Sequence, residues 1–238
     1  MARDARERLI VALDFDRLAP AIQIAKRLAG LVGMFKIGRQ LFTAEGPRAV
    51  EQLAKQGEGI FLDLKFHDIP NTVAGAVRAA AELPGVRLVN VHALGGKEMM
   101  KAAARAIKGL KNRPKVLGVT LITSMDEETL REVGILGPPA KRVLKLAGLA
   151  KRAGLDGVVA SPLEVAEIRL ACGKQFLTVV PGIRPAAAQK NDQLRTATPG
   201  EAIRAGADYL VVGRPITAAK DPRAAAKKIL EEMSAALA

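Results

Sequence analysis

The strongest constraint on this chain is an eightfold alternation. Short apolar runs of the kind that form buried strands recur along its 238 residues, and most are followed by a segment with helical spacing of its apolar positions. The runs are Arg8–Asp14, Met34–Gly38, a third opening at Gly59, Val86–His92, Lys115–Thr123, Gly157–Ala160, Phe176–Val180 and Ala207–Gly213. Between them the helical patterns include Leu18–Leu31, Thr72–Leu83, Gly96–Leu110, a segment from Asp126, one ending at Ala153, Pro162–Ala171 and Glu201–Ala205. A last helix runs from about Pro222 to Ala236. Alternation of this kind implies a parallel sheet. Eight units in a chain of this length, with no linker or shift of composition, predict a single-domain (β/α)8 TIM barrel over residues 1–238. A doubly wound open sheet ranks second, because the first strand-to-helix turn lacks a glycine-rich dinucleotide fingerprint.

Composition narrows the setting. Apolar residues make up 49% of the chain, enough for a sizeable core, and the charged fraction of 26% is ordinary. Cys172 is the single cysteine, which excludes an intrachain disulfide and fits a reducing cytoplasm. The charged opening Met1–Arg8 lacks signal-peptide form, and no apolar run approaches the ~20 residues that span a bilayer. The expectation is a soluble cytoplasmic protein with no membrane partner. The formal charge of +13 fits either an anionic small-molecule ligand or nucleic acid. The basic residues are dispersed along helical segments and aromatic residues make up only 3%, so nucleic acid is not expected as a partner.

Chemistry in such a barrel sits where strand C-termini converge. The third strand ends Asp63-Leu64-Lys65-Phe66-His67-Asp68, then Ile69-Pro70-Asn71-Thr72. Strand alternation turns Asp63 and Lys65 to the same face, and Asp68, just ahead of Pro70, suits the start of a helix. The apolar neighbours imply that both faces are covered, and charges held there are costly unless paired or used. Other strands bring Asp14, Lys36, His92 and Thr123 to the same rim. Singly each has a structural explanation: a helix cap for Asp14, a snorkelling chain for Lys36, a satisfied core histidine for His92. Together, alternating acids and bases point to a site. Pro181-Gly182-Ile183-Arg184 after the seventh strand and Gly213-Arg214-Pro215 after the eighth fall where barrels often hold phosphate. The long polar loop between Arg184 and Thr198 has the character of a lid.

These residues carry a resemblance. Asp63-Leu64-Lys65-Phe66-His67-Asp68-Ile69-Pro70-Asn71-Thr72 resembles the signature of the orotidine 5′-monophosphate decarboxylase family. Further matches are Ala12-Leu13-Asp14, Phe35-Lys36-Ile37-Gly38, Leu121-Ile122-Thr123-Ser124-Met125, Pro181-Gly182-Ile183-Arg184-Pro185, Asp192-Gln193 and Val212-Gly213-Arg214-Pro215-Ile216-Thr217. The D-x-K-x-x-D core alone is shared with metal-dependent sugar-phosphate decarboxylases and aldolases, which are the alternative reading. The Ile-Pro-Asn-Thr continuation, Lys36 and the Gly-Arg-Pro loop narrow the match.

The resemblance implies loss of CO2 from orotidine 5′-monophosphate to give uridine 5′-monophosphate, the last step of de novo pyrimidine nucleotide biosynthesis, with no metal and no organic cofactor. It implies Lys65 as proton donor to C6, with Lys36, Asp63 and Asp68 as the other catalytic residues. Asp14 and Lys36 would meet the ribose hydroxyls, and Thr123 would lie near the base. Arg184, Arg214 and the Gly213 amide would hold the phosphate, Pro181 would belong to the substrate-binding set, and Gln193 would sit on the lid. The resemblance also implies a homodimer in which Asp68 and Thr72 serve the neighbouring subunit's site.

Overall fold

Apolar runs that bury both faces need a layer on each side, and a sheet closed on itself with helices outside provides both. In the computed structural model, which describes residues 4–185 and 195–238, eight parallel strands close in sequence order, the first pairing with both the second and the last. They are β1 (Leu9–Ala12), β2 (Met34–Gly38), β3 (Gly59–Phe66), β4 (Val86–His92), β5 (Lys115–Val119), β6 (Gly157–Val159), β7 (Leu177–Val180) and β8 (Tyr209–Val212). The helices are α1 (Ala5–Arg8), α2 (Leu18–Leu28), α3 (Arg39–Glu45), α4 (Pro47–Ala54), α5 (Pro70–Glu82) and α6 (Gly96–Ala106). They continue with α7 (Glu127–Glu132), α8 (Pro139–Arg152), α9 (Val165–Cys172), α10 (Pro199–Arg204), α11 (Arg214–Thr217) and α12 (Pro222–Leu237). The expected closed barrel forms, and the open doubly wound sheet does not.

Period-two alternation sorts each strand. Ile10, Ala12, Met34, Phe61, Leu88, Leu117, Val119, Val159, Val179, Tyr209 and Val211 fill the interior. Leu9, Val11, Phe35, Ile37, Ile60, Leu62, Val89 and Val91 face the helices. Continuing inward positions upward places Lys36 above Met34, Asp63 above Phe61 and Asn90 above Leu88. Apolar layers thus fill the lower barrel, and polar side chains take the same inward face near its mouth.

Several elements are shorter than their apolar patterns. Strand β5 ends at Val119 because Thr120 turns the chain, its amide (3.1 Å) and hydroxyl (3.0 Å) both donating to the Val159 carbonyl. Strand β8 begins at Tyr209 because Asp208 is used below it, accepting from the Thr178 amide at 2.8 Å and from Arg169. Helix α6 stops at Ala106, where Ile107 leaves helical geometry. The segment expected from Asp126 is α7, capped by the Asp126 carboxylate on the Thr129 amide at 2.9 Å.

The lower rim is tied by ion pairs. Asp156, at the entry to β6, accepts two bonds from Arg113 at 2.7 and 2.8 Å and one from the Val116 amide at 2.8 Å. Among the described residues no helix is long and apolar enough to cross a membrane.

Gly157 marks the tightest strand contact. A Cβ there would lie 2.3 Å from the Leu177 carbonyl oxygen of β7, a backbone atom that cannot swing away. Gly157→Ala is expected to lower stability by about 1–3 kcal/mol, read as a fall in the urea or thermal midpoint. An unchanged midpoint would contradict this packing.

Candidate active site

Strand C-termini and the loops after them enclose a cavity of about 550 Å³. Its floor is the top of the apolar interior: Ala12, Phe61, Val119, Val159 and Val211. Asp14, Lys36, Asp63 and Lys65 form one wall, while Thr123, Pro181, Arg184, Gly213 and Arg214 line it from later strands. Nine of the predicted site residues therefore share one cavity.

The four charges of the first wall form a continuous run. Lys36 Nζ lies 2.9 Å from Asp14 Oδ1 and 3.4 Å from Asp63 Oδ2, and Lys65 Nζ lies 2.6 Å from Asp63 Oδ1. Burial alone would drive the Lys36 ammonium towards neutrality, but Asp63 and Asp14 outweigh it and raise its pKa above the ordinary lysine value. Burial would likewise push Asp63 up, yet Lys36, Lys65 and the hydrogen bonds from Lys65 and Asn90 bring it down to about 2. Asp63 is thus a fixed carboxylate and Lys36 a fixed cation at neutral pH.

Lys65 reaches this position through a break in its strand. Leu62 pairs with Val89, and the next paired positions are Phe66 and Val91. Asp63, Leu64 and Lys65 therefore lie across from Asn90 alone, a bulge. Lys65 has φ of 53°, the only positive value at a non-glycine residue among those described. Simple alternation predicted that Asp63 and Lys65 share a face, and both do line the cavity, though by way of this distorted backbone. Asn90, which the sequence reading passed over, is fully buried. Its Nδ2 donates to Asp63 Oδ1 at 2.6 Å, and its Oδ1 accepts from the Lys65 amide at 2.8 Å. An amide at an inward position of an apolar strand was the available signal. Gly38 was also passed over: a Cβ there would sit 2.7 Å from Lys36 Nζ and 2.9 Å from Asp14 Oδ1. Arg39 and Gln40 join the cavity wall as well.

The remaining predicted residues divide. Arg184 is buried, donates to the Ile183 carbonyl at 2.9 Å, and its amide bonds to the Ala197 carbonyl at 3.0 Å, closing the base of the expected lid. Gln193 lies outside the described residues, as does the span 186–194 of that loop. Gly213 has φ of −108°, and among the described residues a Cβ there would make only ordinary contact with Ala12. Asp68 and Thr72 are exposed and do not line this cavity. Ile69 caps α5 and Pro70 opens it, leaving Asp68 one residue outside the helix with its Oδ1 accepting from the Ile69 amide at 2.6 Å.

His92 is not a satisfied core histidine. It sits half-buried at the rim with its ring centroid 5.3 Å from that of His67, and its Nδ1 is buried without a hydrogen-bond partner among the described residues. Burial, followed by His67 and Lys65, brings its pKa down to about 4, so it is neutral at physiological pH. Among the described residues no three His, Cys, Asp or Glu side chains cluster as a metal site.

Known proteins resemble this sequence and share this fold. Residues 7–229 match the model of the orotidine 5′-phosphate decarboxylase / HUMPS family. The chain is 57% identical over 242 residues to the orotidine 5′-phosphate decarboxylase of Syntrophotalea carbinolica, covering 100% of this chain and 99% of that protein. It is 57% identical over 239 residues to the enzyme of the same name from Geobacter sulfurreducens, covering 99% and 100%. The crystal structure of orotidine 5′-phosphate decarboxylase from Lactobacillus acidophilus superposes with a TM-score of 0.83 at 42% identity, covering 94% of this chain and 98% of that one. With its barrel, its charged run and these relatives, the chain belongs to the orotidine 5′-phosphate decarboxylase / HUMPS family.

Proposed function

We propose that this enzyme removes CO2 from the C6 carboxylate of orotidine 5′-monophosphate, giving uridine 5′-monophosphate, with Lys65 as the proton donor. The observation that carries the reading is the Asp14–Lys36–Asp63–Lys65 run beside a cavity whose other lining includes Arg184 and Arg214. The C6–carboxylate bond breaks, CO2 departs, and the electron pair remains on a ring carbon with no adjacent electron sink. A cation beside that carbon is what the chemistry needs. At about 4 Å and an effective dielectric near 20, one such contact is worth roughly 4 kcal/mol. Lys65 then passes a proton to C6. Asp63, a carboxylate throughout, faces the departing carboxylate and raises the ground state, while Lys36 and Asp14 hold the ribose hydroxyls. Thr123 lies towards the base. Pro181, Arg184, Gly213 and Arg214 take the phosphate end, and Gln193 completes the lid. Binding energy gathered at the remote phosphate contributes to the reaction at C6.

The metal-dependent sugar-phosphate alternative fits less well, because the Lys36 ammonium already occupies the space between Asp14 and Asp63 where a divalent cation would bridge them. The nucleic-acid reading rests on net charge alone.

We further infer a cytoplasmic homodimer of one-domain barrels in which Asp68 and Thr72 complete the neighbour's site. Both are exposed outside their own cavity, next to an Ile69 side chain that is 67% exposed, an arrangement that a second copy would cover.

Lys65→Ala is expected to cut turnover of orotidine 5′-monophosphate by at least about 100-fold while uridine 5′-monophosphate still binds in calorimetry. Undiminished turnover would sink the assignment. Mixing inactive Lys65→Ala with inactive Asp68→Asn protein rebuilds one native site in each mixed dimer, so part of the activity should return. If none returns although mixed dimers form, Asp68 does not cross the interface.

A further inference from the structure

Asn90 lies in the C-terminal half of β4, on the inward face, with no solvent exposure. A neutral amide in that place is unfavourable unless both ends are bonded. Both are, and the two partners are the catalytic pair: Asp63 through Nδ2 at 2.6 Å and the Lys65 amide through Oδ1 at 2.8 Å. We propose that Asn90 is a positioning residue for decarboxylation, setting the geometry of Asp63 and Lys65 without touching the substrate. The inference rests on the decarboxylase reading above.

Three geometric facts support it. The bulge leaves Lys65 opposite Asn90 with no regular ladder register between the paired residues Leu62 and Phe66, so the side-chain carbonyl of Asn90 receives the Lys65 amide. That bond restrains a residue whose φ of 53° costs about 1–3 kcal/mol wherever it is held. The Nδ2 bond fixes the rotation of the Asp63 carboxylate, sharing Oδ1 with Lys65 and leaving Oδ2 for Lys36. One planar group must donate at one end and accept at the other at this reach, which selects asparagine. Leucine would leave the Lys65 amide unpaired and take one donor from Asp63, and a carboxylate would set like charges against Asp63.

The test uses two variants of the full-length enzyme, with orotidine 5′-monophosphate as substrate and uridine 5′-monophosphate as binding probe. Asn90→Ala is expected to lower kcat about 100-fold, the cost of a small misplacement of reacting groups, with product affinity changed only a few-fold. Asn90→Asp supplies a readout that a purely structural role would not move. Protonated, the introduced acid donates through its hydroxyl and accepts through its carbonyl, as the native amide does; ionised, it repels Asp63. Its kcat relative to wild type should therefore rise as pH falls from about 8 to about 5. The charged groups facing this position are Asp63 and Lys65 from β3 and Lys36 across Asp63 from β2; β5 presents Leu117, and His92 lies two residues along β4. Asp63 stays ionised and His92 neutral over that window. Folded variants with wild-type kcat, or Asn90→Asp with a pH profile parallel to wild type, would overturn the proposal. So would loss of product binding together with kcat, or failure of both variants to fold at every pH. Wild-type enzyme without activity would instead refute the decarboxylase reading itself.

Discussion

The carboxylate of Asp63 between two ammonium groups is the interaction on which the site depends. Each charge in the run would be expensive in the half-dry mouth of the barrel if it stood alone. Arranged acid–base–acid–base, each of the inner members meets opposite charge on both sides, and the run is neutral overall. The fall of the Asp63 pKa from 3.8 to about 2 represents about 2 kcal/mol of stability. Because the folded value is the lower one, that stabilisation is complete above the unfolded pKa and disappears as pH drops through about 2. Removing Lys36 or Lys65 would leave the buried Asp63 carboxylate with one counter-charge instead of two, so these positions couple stability to the chemistry of the site.

Backbone and side-chain chemistry meet at Lys65. A regular β3 would continue its ladder with β4, and instead the strand bulges opposite Asn90. The bulge re-aims Lys65 so that its ammonium reaches Asp63 inside the cavity while Leu64 and Phe66 pack against the outer core. A strained φ persists only where its surroundings over-determine it, and a buried amide bond on one side with an ion pair on the other does so here.

Much of this was legible in the sequence, for identifiable reasons. Barrel strands buried on both faces write unbroken apolar runs, so β2 and β4 were bounded correctly, and the charges at their ends stood out against them. The arginines after β7 and β8 were found because position in the fold predicts phosphate chemistry there. Other features were hidden by the same logic. Asn90 is one polar residue inside an apolar strand, and its importance arises from a bulge in a neighbouring strand, a long-range effect with no local mark. Gly38 reads as a strand end until the distance from its missing Cβ to Lys36 is known. Strand β8 starts late because Asp208 pairs with Arg169, 39 residues away, and the unpaired ring nitrogen of His92 is visible only in three dimensions.

The central claim is that a fixed cation beside C6 carries the reaction without a metal. Its most direct test is turnover of orotidine 5′-monophosphate in D2O with an excess of chelator. The account predicts loss of substrate absorbance, one CO2 released per molecule consumed, and uridine 5′-monophosphate bearing a single deuterium at C6. Unchanged substrate, or activity that returns only when a divalent metal is added, would contradict it.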